Sequence, residues 1–237
     1  NVEPLMPQDL LRITPTGVMG TFGSGITIAG MYALLPVYLQ RVGMDITQVG
    51  YLMACVICGA MLLQYPVGRW SDRQDRQVVL IALSAFCTVL SVLILVLPSS
   101  VILLAVMLFL LGGGVFALYP VAVAHATDNV ASNELVRVIQ GMLLINSVGS
   151  ALSPLIISPA MKQMGDSGFF WSFVALNSLM ALFFLWRRKV HPASTPTAPF
   201  EPTAQMSPVG AESRVTDELV QATLEREHHD EEVVAEA

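Results

Sequence analysis

Residues 64–80, QYPVGRWSDRQDRQVVL, set Arg69, Asp72, Arg73, Asp75 and Arg76 between two apolar runs. Acids and bases in such close alternation suit ion pairing and the holding of a helix end or a phosphate, not bond cleavage. Gly68 lacks a side chain and so allows a neighbouring helix to come close. Asp72 is then placed to face the N-terminus of that helix, where free N–H groups and the macrodipole favour an anion. Arg73 and Arg76 suit partner acids or lipid phosphates. Elsewhere no nucleotide-binding loop, metal cluster or catalytic triad occurs, so the reading is of a protein that is not an enzyme and uses neither cofactor nor metal. Cys55-Val-Ile-Cys58 has the spacing of a zinc or redox half-site, but Cys87 is the only other cysteine and all three lie in apolar runs. Without a second pair, helix packing accounts for them.

Uncharged polar residues interrupt the apolar runs at Tyr32, Tyr38, Gln64, Tyr119, His125, Gln140 and Asn146. Each suits a hydrogen bond, either to a neighbouring helix or to a bound solute. On a helix, Gln140, Ser147, Ala151 and Pro154 share one face, whereas Asn146, Gly149 and Ser153 share another. One side of this segment is expected to line a cavity and the other to pack.

The elements that must position these residues are membrane spans. Of 237 residues, 54% are hydrophobic and 13% charged, with mean hydropathy +0.64; soluble proteins average about 25% charged. A span needs about 20 mostly apolar residues, and windows of that size fall at about 17–39, 47–67, 77–97, 101–126, 137–160 and 168–187. The expected fold class is therefore all-α membrane protein with six transmembrane helices. Arg12, Arg69, Arg73, Arg76, Arg137, Arg187, Arg188 and Lys189 fall on one side of these spans, and only Arg41 and Lys162 on the other. Basic loops stay cytoplasmic, which puts both termini and the 68–76 loop there. The chain opens Asn-Val-Glu-Pro without an initiator Met or a signal-peptide layout. Residues 1–13 thus read as a cytoplasmic connector from a missing N-terminal half, and 14–189 as the six-helix domain. From Val190 onward come ten acids, two arginines and five prolines, a composition expected to form a disordered cytoplasmic tail.

Gly68-Arg-Trp-Ser-Asp72-Arg73-Gln-Asp75-Arg76 resembles the loop signature of the major facilitator superfamily, G-x-x-x-D-R/K-x-G-R/K. Gly68, Asp72, Arg73 and Arg76 match. Asp75 replaces the usual glycine, which leaves the turn without the residue that best tolerates a left-handed backbone. Residues 30–54, 117–130 and 140–154 resemble the YcaD-type branch of bacterial members, and the resemblance covers about residues 8–190. It implies one half of a twelve-helix bundle, and the signature after the second of six spans points to helices seven to twelve. It also implies that spans one, two, four and five line the cavity while three and six face lipid. Asp72 would act as a latch against the start of the fifth span, near Arg137, when the cytoplasmic side is closed.

Gly25, Gly30 and Pro36 in the first span, Gly113 and Pro120 in the fourth, and Gly149 and Pro154 in the fifth are expected to permit close packing or bending. Tyr32, Tyr119, Gln140 and Asn146 are the candidates for substrate contact. The expected function is that of the C-terminal half of a secondary active transporter, moving a small solute across a bacterial cytoplasmic (inner) membrane by alternating access. Its partners would be the lipid bilayer, an N-terminal six-helix half of the same polypeptide and an unidentified small molecule, with no nucleic acid. Proton-coupled transporters usually carry an ionisable group within the spans; these spans have no carboxylate there, so coupling would fall to the missing half or to His125. Two rivals stand beside this reading: a self-contained six-span homodimer, and a non-transporting scaffold or sensor that reads out through the tail. Six further spans encoded upstream and solute uptake by the full protein would separate them.

Overall fold

In the computed structural model, which describes residues 7–97, 100–128, 130 and 134–190, the chain folds into α-helices joined by short turns. They are α1 Pro7–Ile13, α2 Pro15–Ala33, α3 Leu35–Arg41, α4 Ile46–Ser71, α5 Arg76–Val96, α6 Val101–Thr127, α7 Leu135–Met164 and α8 Gly168–Val190. In a bilayer, backbone polar groups find no water, so a spanning segment must satisfy them within itself, as a helix does. Helices α4 to α8 are each long and apolar enough to cross a membrane, and α2 and α3, bent by 43° at their break, are long and apolar enough when taken together. The membrane-helix fold class read from the sequence is therefore correct.

Local sequence sets the helix ends. Thr14 accepts a hydrogen bond from the Gly17 amide at 3.3 Å, and Pro15 follows at the first position of α2, where its missing N–H costs nothing. Pro36 cannot donate to the Tyr32 carbonyl, and the chain bends between α2 and α3 at Leu34. Asp45 and Gln48 form a capping box at the start of α4, with bonds of 2.7 and 3.1 Å. Asp75 caps α5, accepting from the Gln77 amide at 2.9 Å with φ −56° and ψ 116°. The turn that was expected to want glycine needs no left-handed residue: among the described residues only Gly43 and Gly165 have positive φ.

Several expected boundaries move. Helix α4 runs past residue 67 to Ser71, so Gly68 lies inside it instead of ending it. Helix α7 extends beyond 137–160 at both ends. Within the stretch expected to be a connector, α1 folds back against α2 and α7, and Leu10 is buried with Val138 and Met142. The tail expected over 190–237 lies outside the described residues apart from Val190.

Helix α6 is the hub, packed against α4, α2 and α5, while α2 also pairs with α7 and α5 with α8. Lipid is as apolar as the side chains, so close van der Waals fit and interhelical hydrogen bonds drive this association. Two reciprocal glycine pairs set the closest approaches. A Cβ on Gly59 would strike the Phe109 carbonyl and one on Gly112 the Val56 carbonyl, which joins α4 to α6. Gly25 and Gly149 do the same for α2 and α7, against the carbonyls of Asn146 and Phe22.

Candidate gate and cavity face

The signature residues gather where α4, α5 and α6 end together. Asp72 is the C-cap of α4, its amide donating to the Gly68 carbonyl at 2.9 Å. Its carboxylate, with 71% of the side chain exposed, lies 3.6 Å from Arg76 Nη2. Arg76 also places Nε 3.0 Å from Oδ2 of Asp128, the C-cap of α6. One guanidinium thus joins the start of α5 to the end of α6, where the helix dipole favours a cation. Burial pushes the Asp128 carboxyl above its usual range, and Arg76 and His125 partly offset that.

In this conformation the loop makes other contacts than those expected of it. Among the described residues, the side-chain partner of Asp72 is Arg76, not the first turn of α7. Nor does another described helix come close to Gly68: among the described residues, a Cβ there would find open space to 4 Å. The packing face of α4 carries Val56, Gly59 and Ala60. Asp128 escaped the sequence reading; the available signal was an acid one turn after His125, immediately past the end of an apolar run.

The polar candidates divide into two groups. Tyr32 is 51% exposed, and its ring stands edge-on to Phe116 with centroids 5.3 Å apart. Gln64 Nε2 donates to the Phe116 carbonyl at 3.4 Å. That acceptor is free because Pro120, four residues on, has no N–H to offer it. Tyr119 is half-buried on the same helix, and Gln140 is exposed on α7. Asn146 belongs elsewhere: its Nδ2 donates to the Thr21 carbonyl at 3.0 Å and contacts Ser24 Oγ at 3.3 Å. Ser150 and Ser153 donate to the Gly25 and Ile26 carbonyls at 3.2 and 2.6 Å, alongside the Gly25–Gly149 approach. Gly30 faces Ile157 and Ser153 across the same seam. The opposite face of α7, with Gln140, Ser147, Ala151 and Pro154, is exposed. Gly113 abuts Leu63 of α4, and Pro120 and Pro154 sit within unbroken helices. Away from the signature loop, Arg41 at the end of α3 reaches Asp166 in the α7–α8 turn at 3.8 Å, and Tyr38 stacks on Phe169 at 5.6 Å.

The family profile of the Major Facilitator Superfamily matches residues 17–224. The chain belongs to this superfamily. Among curated relatives, the MFS-type transporter YcaD of Salmonella arizonae is 34% identical over 175 residues, covering 74% of this chain and 45% of its own length. YcaD of Escherichia coli O139:H28 is 34% identical over 181 residues, with 76% and 46% covered. An MFS-type transporter of Enterobacter sp. (strain 638) is 32% identical over 192 residues, with 81% and 49% covered. The chain spans about half the length of the curated relatives it matches. Superfamily membership makes it a membrane protein of a transporter family, not an enzyme, and the bundle that carries Gly68, Asp72, Arg73 and Arg76 is a superfamily bundle.

Proposed function

We propose that the chain is the C-terminal half, helices seven to twelve, of a secondary transporter that moves a small solute by alternating access against an N-terminal six-helix half. The two-sided helix α7 carries this reading. One face is locked to α2 by Gly149, Asn146 and Ser153, while on the other Gln140, Ser147 and Ala151 are exposed among the described residues. The half-length match to the relatives supports a second half on that side. Residues 1–13 then connect the halves, 14–189 form the six-helix domain, and 190–237 form a cytoplasmic tail. Both termini and the Gly68–Arg76 loop face the cytoplasm of an inner membrane. Tyr32, Gln64, Tyr119 and Gln140 meet the solute; Asn146 serves the seam. Arg76 keeps α5 on α6 and leaves Asp72 exposed, ready to take a helix N-terminus of the other half when the gate closes.

A growth and efflux screen on the complete gene identifies the solute, because fold does not. With that solute, the chain alone should insert without transporting, and co-expression with the first six spans should restore uptake. Robust uptake by the chain alone would sink the half-transporter reading in favour of a homodimer.

A further inference from the structure

Helices α4 and α5 leave their connecting turn and diverge, each packed on α6 and touching the other only sparsely. A groove of about 360 Å³ opens between them, lined by Leu63, Val67 and Trp70 of α4, Ala82 and Phe86 of α5, and Gly113 of α6. Glycine keeps its floor low. A Cβ on Gly113 would strike the Leu63 side chain, and one on Gly114 would come within 2.7 Å of Cys87 Sγ. Apart from the Trp70 indole N–H, the lining offers no polar side-chain group, so ordered water has nothing there to hold it.

At the end nearer the α4–α5 turn the chemistry changes. Arg69 precedes Trp70, and Arg73 follows one turn on, its amide donating to the Trp70 carbonyl at 3.1 Å. Arg76 is taken by Asp72 and Asp128, but Arg69 and Arg73 are exposed and have no ion-pair partner among the described residues. Trp70 stands between, where an amphipathic ring marks the boundary between hydrocarbon and headgroup. From Leu63 to Trp70 is about 10 Å of helix, so the groove is a short apolar channel that ends at Trp70 and the two arginines. A single acyl chain has the right shape.

We propose that this groove is a binding site for an anionic phospholipid. One acyl chain lies over Gly113 between Leu63 and Phe86, and the phosphate accepts charge-assisted hydrogen bonds from Arg69 and Arg73. The site rests on the membrane-spanning fold and is independent of what the protein transports.

The test uses Trp70 as its own reporter. The chain has three tryptophans, so Trp171→Phe with Trp186→Phe leaves Trp70 alone. This protein is reconstituted in phosphatidylcholine vesicles, and its fluorescence is followed as brominated phosphatidylglycerol or brominated phosphatidylcholine is added. Trp70 should be quenched at a lower mole fraction of the glycerol lipid, by about fivefold for each arginine engaged. Arg69→Gln with Arg73→Gln should abolish that preference while leaving quenching by phosphatidylcholine. Ala82→Leu should fill the groove and reduce quenching by both lipids; Ala82→Val serves if the larger residue prevents insertion. Quenching that tracks bromine content alone, equal for both headgroups and indifferent to Ala82, means ordinary boundary lipid and overturns the proposal. Little quenching by either lipid means that protein covers Trp70, which overturns it equally.

Discussion

At the scale of single residues, Asp75 shows how a family pattern and local physics part company. The pattern has glycine there for a tight turn, but this chain makes the turn with ordinary dihedrals and uses the carboxylate to cap α5. Asp75→Ala should therefore lower stability by about 1 kcal/mol and Asp75→Gly by only a few tenths, read from thermal unfolding in detergent. Equal losses would show that the cap contributes nothing. Arg76 is the second test. Removing it leaves the partly buried Asp128 without its cation, so Arg76→Gln and Asp128→Asn should be non-additive, with a coupling of about 0.5–1 kcal/mol for so exposed a pair. Additive effects in a double-mutant cycle would mean that the 3.0 Å pair is adventitious. Gly68→Ala should raise the stability of this chain by about 0.5–1 kcal/mol, since Gly68 lies inside α4 and the added Cβ meets open space. The residue types of this cluster were legible in the sequence. Their pairing was not, because Asp128 joins Arg76 only once α5 and α6 are packed side by side.

At the scale of elements, the two faces of α7 were readable because a helix has a fixed period: positions 146, 149 and 153 recur on one side, and 140, 147, 151 and 154 on the other. The structure seats the first set on α2 and exposes the second. The bend after α2 was equally readable from Pro36. The overhang of α4 through Gly68, Arg69 and Trp70 was not, because hydropathy marks where a helix leaves hydrocarbon, not where its hydrogen bonds stop. Gly149→Leu should destroy the α2–α7 seam, as even a Cβ there meets the Phe22 carbonyl. Ser147→Leu, two residues away on the exposed face, should leave the folded fraction unchanged. Asn146→Ala falls between them, at about 0.6 kcal/mol for one intramembrane hydrogen-bonding group. An SDS-unfolding titration ranks the three, and a Ser147→Leu chain as damaged as Gly149→Leu would mean that the exposed face also packs within this chain.

At the scale of the whole molecule, the apolar segments were legible from hydropathy, five of them as single helices long enough to span and the first as the bent α2–α3 pair, whereas the pairing of α6 with α4, α2 and α5 depends on glycine contacts that no period reveals. The crossings fix the last prediction. With α4 to α8 and the bent α2–α3 pair each spanning once, the start of α2, the α4–α5 turn and the end of α8 lie on one side, and the α7–α8 turn lies on the other. The first side carries Arg12, Arg69, Arg73, Arg76, Arg137, Arg187, Arg188 and Lys189, and the second Arg41 and Lys162. Positive charge resists translocation, so the first side should be cytoplasmic. Ser71 is a poor place to ask, being only 3% exposed; Gln74 and Gln163 are exposed and carry no charge. In a version lacking native cysteines, Gln163→Cys should react with an impermeant maleimide added to intact cells, while Gln74→Cys should react only after permeabilisation. The reverse pattern would invert the bundle and place the Asp72–Arg76–Asp128 cluster at the outer surface. A cytoplasmic gate at that loop would then be excluded, whatever the solute.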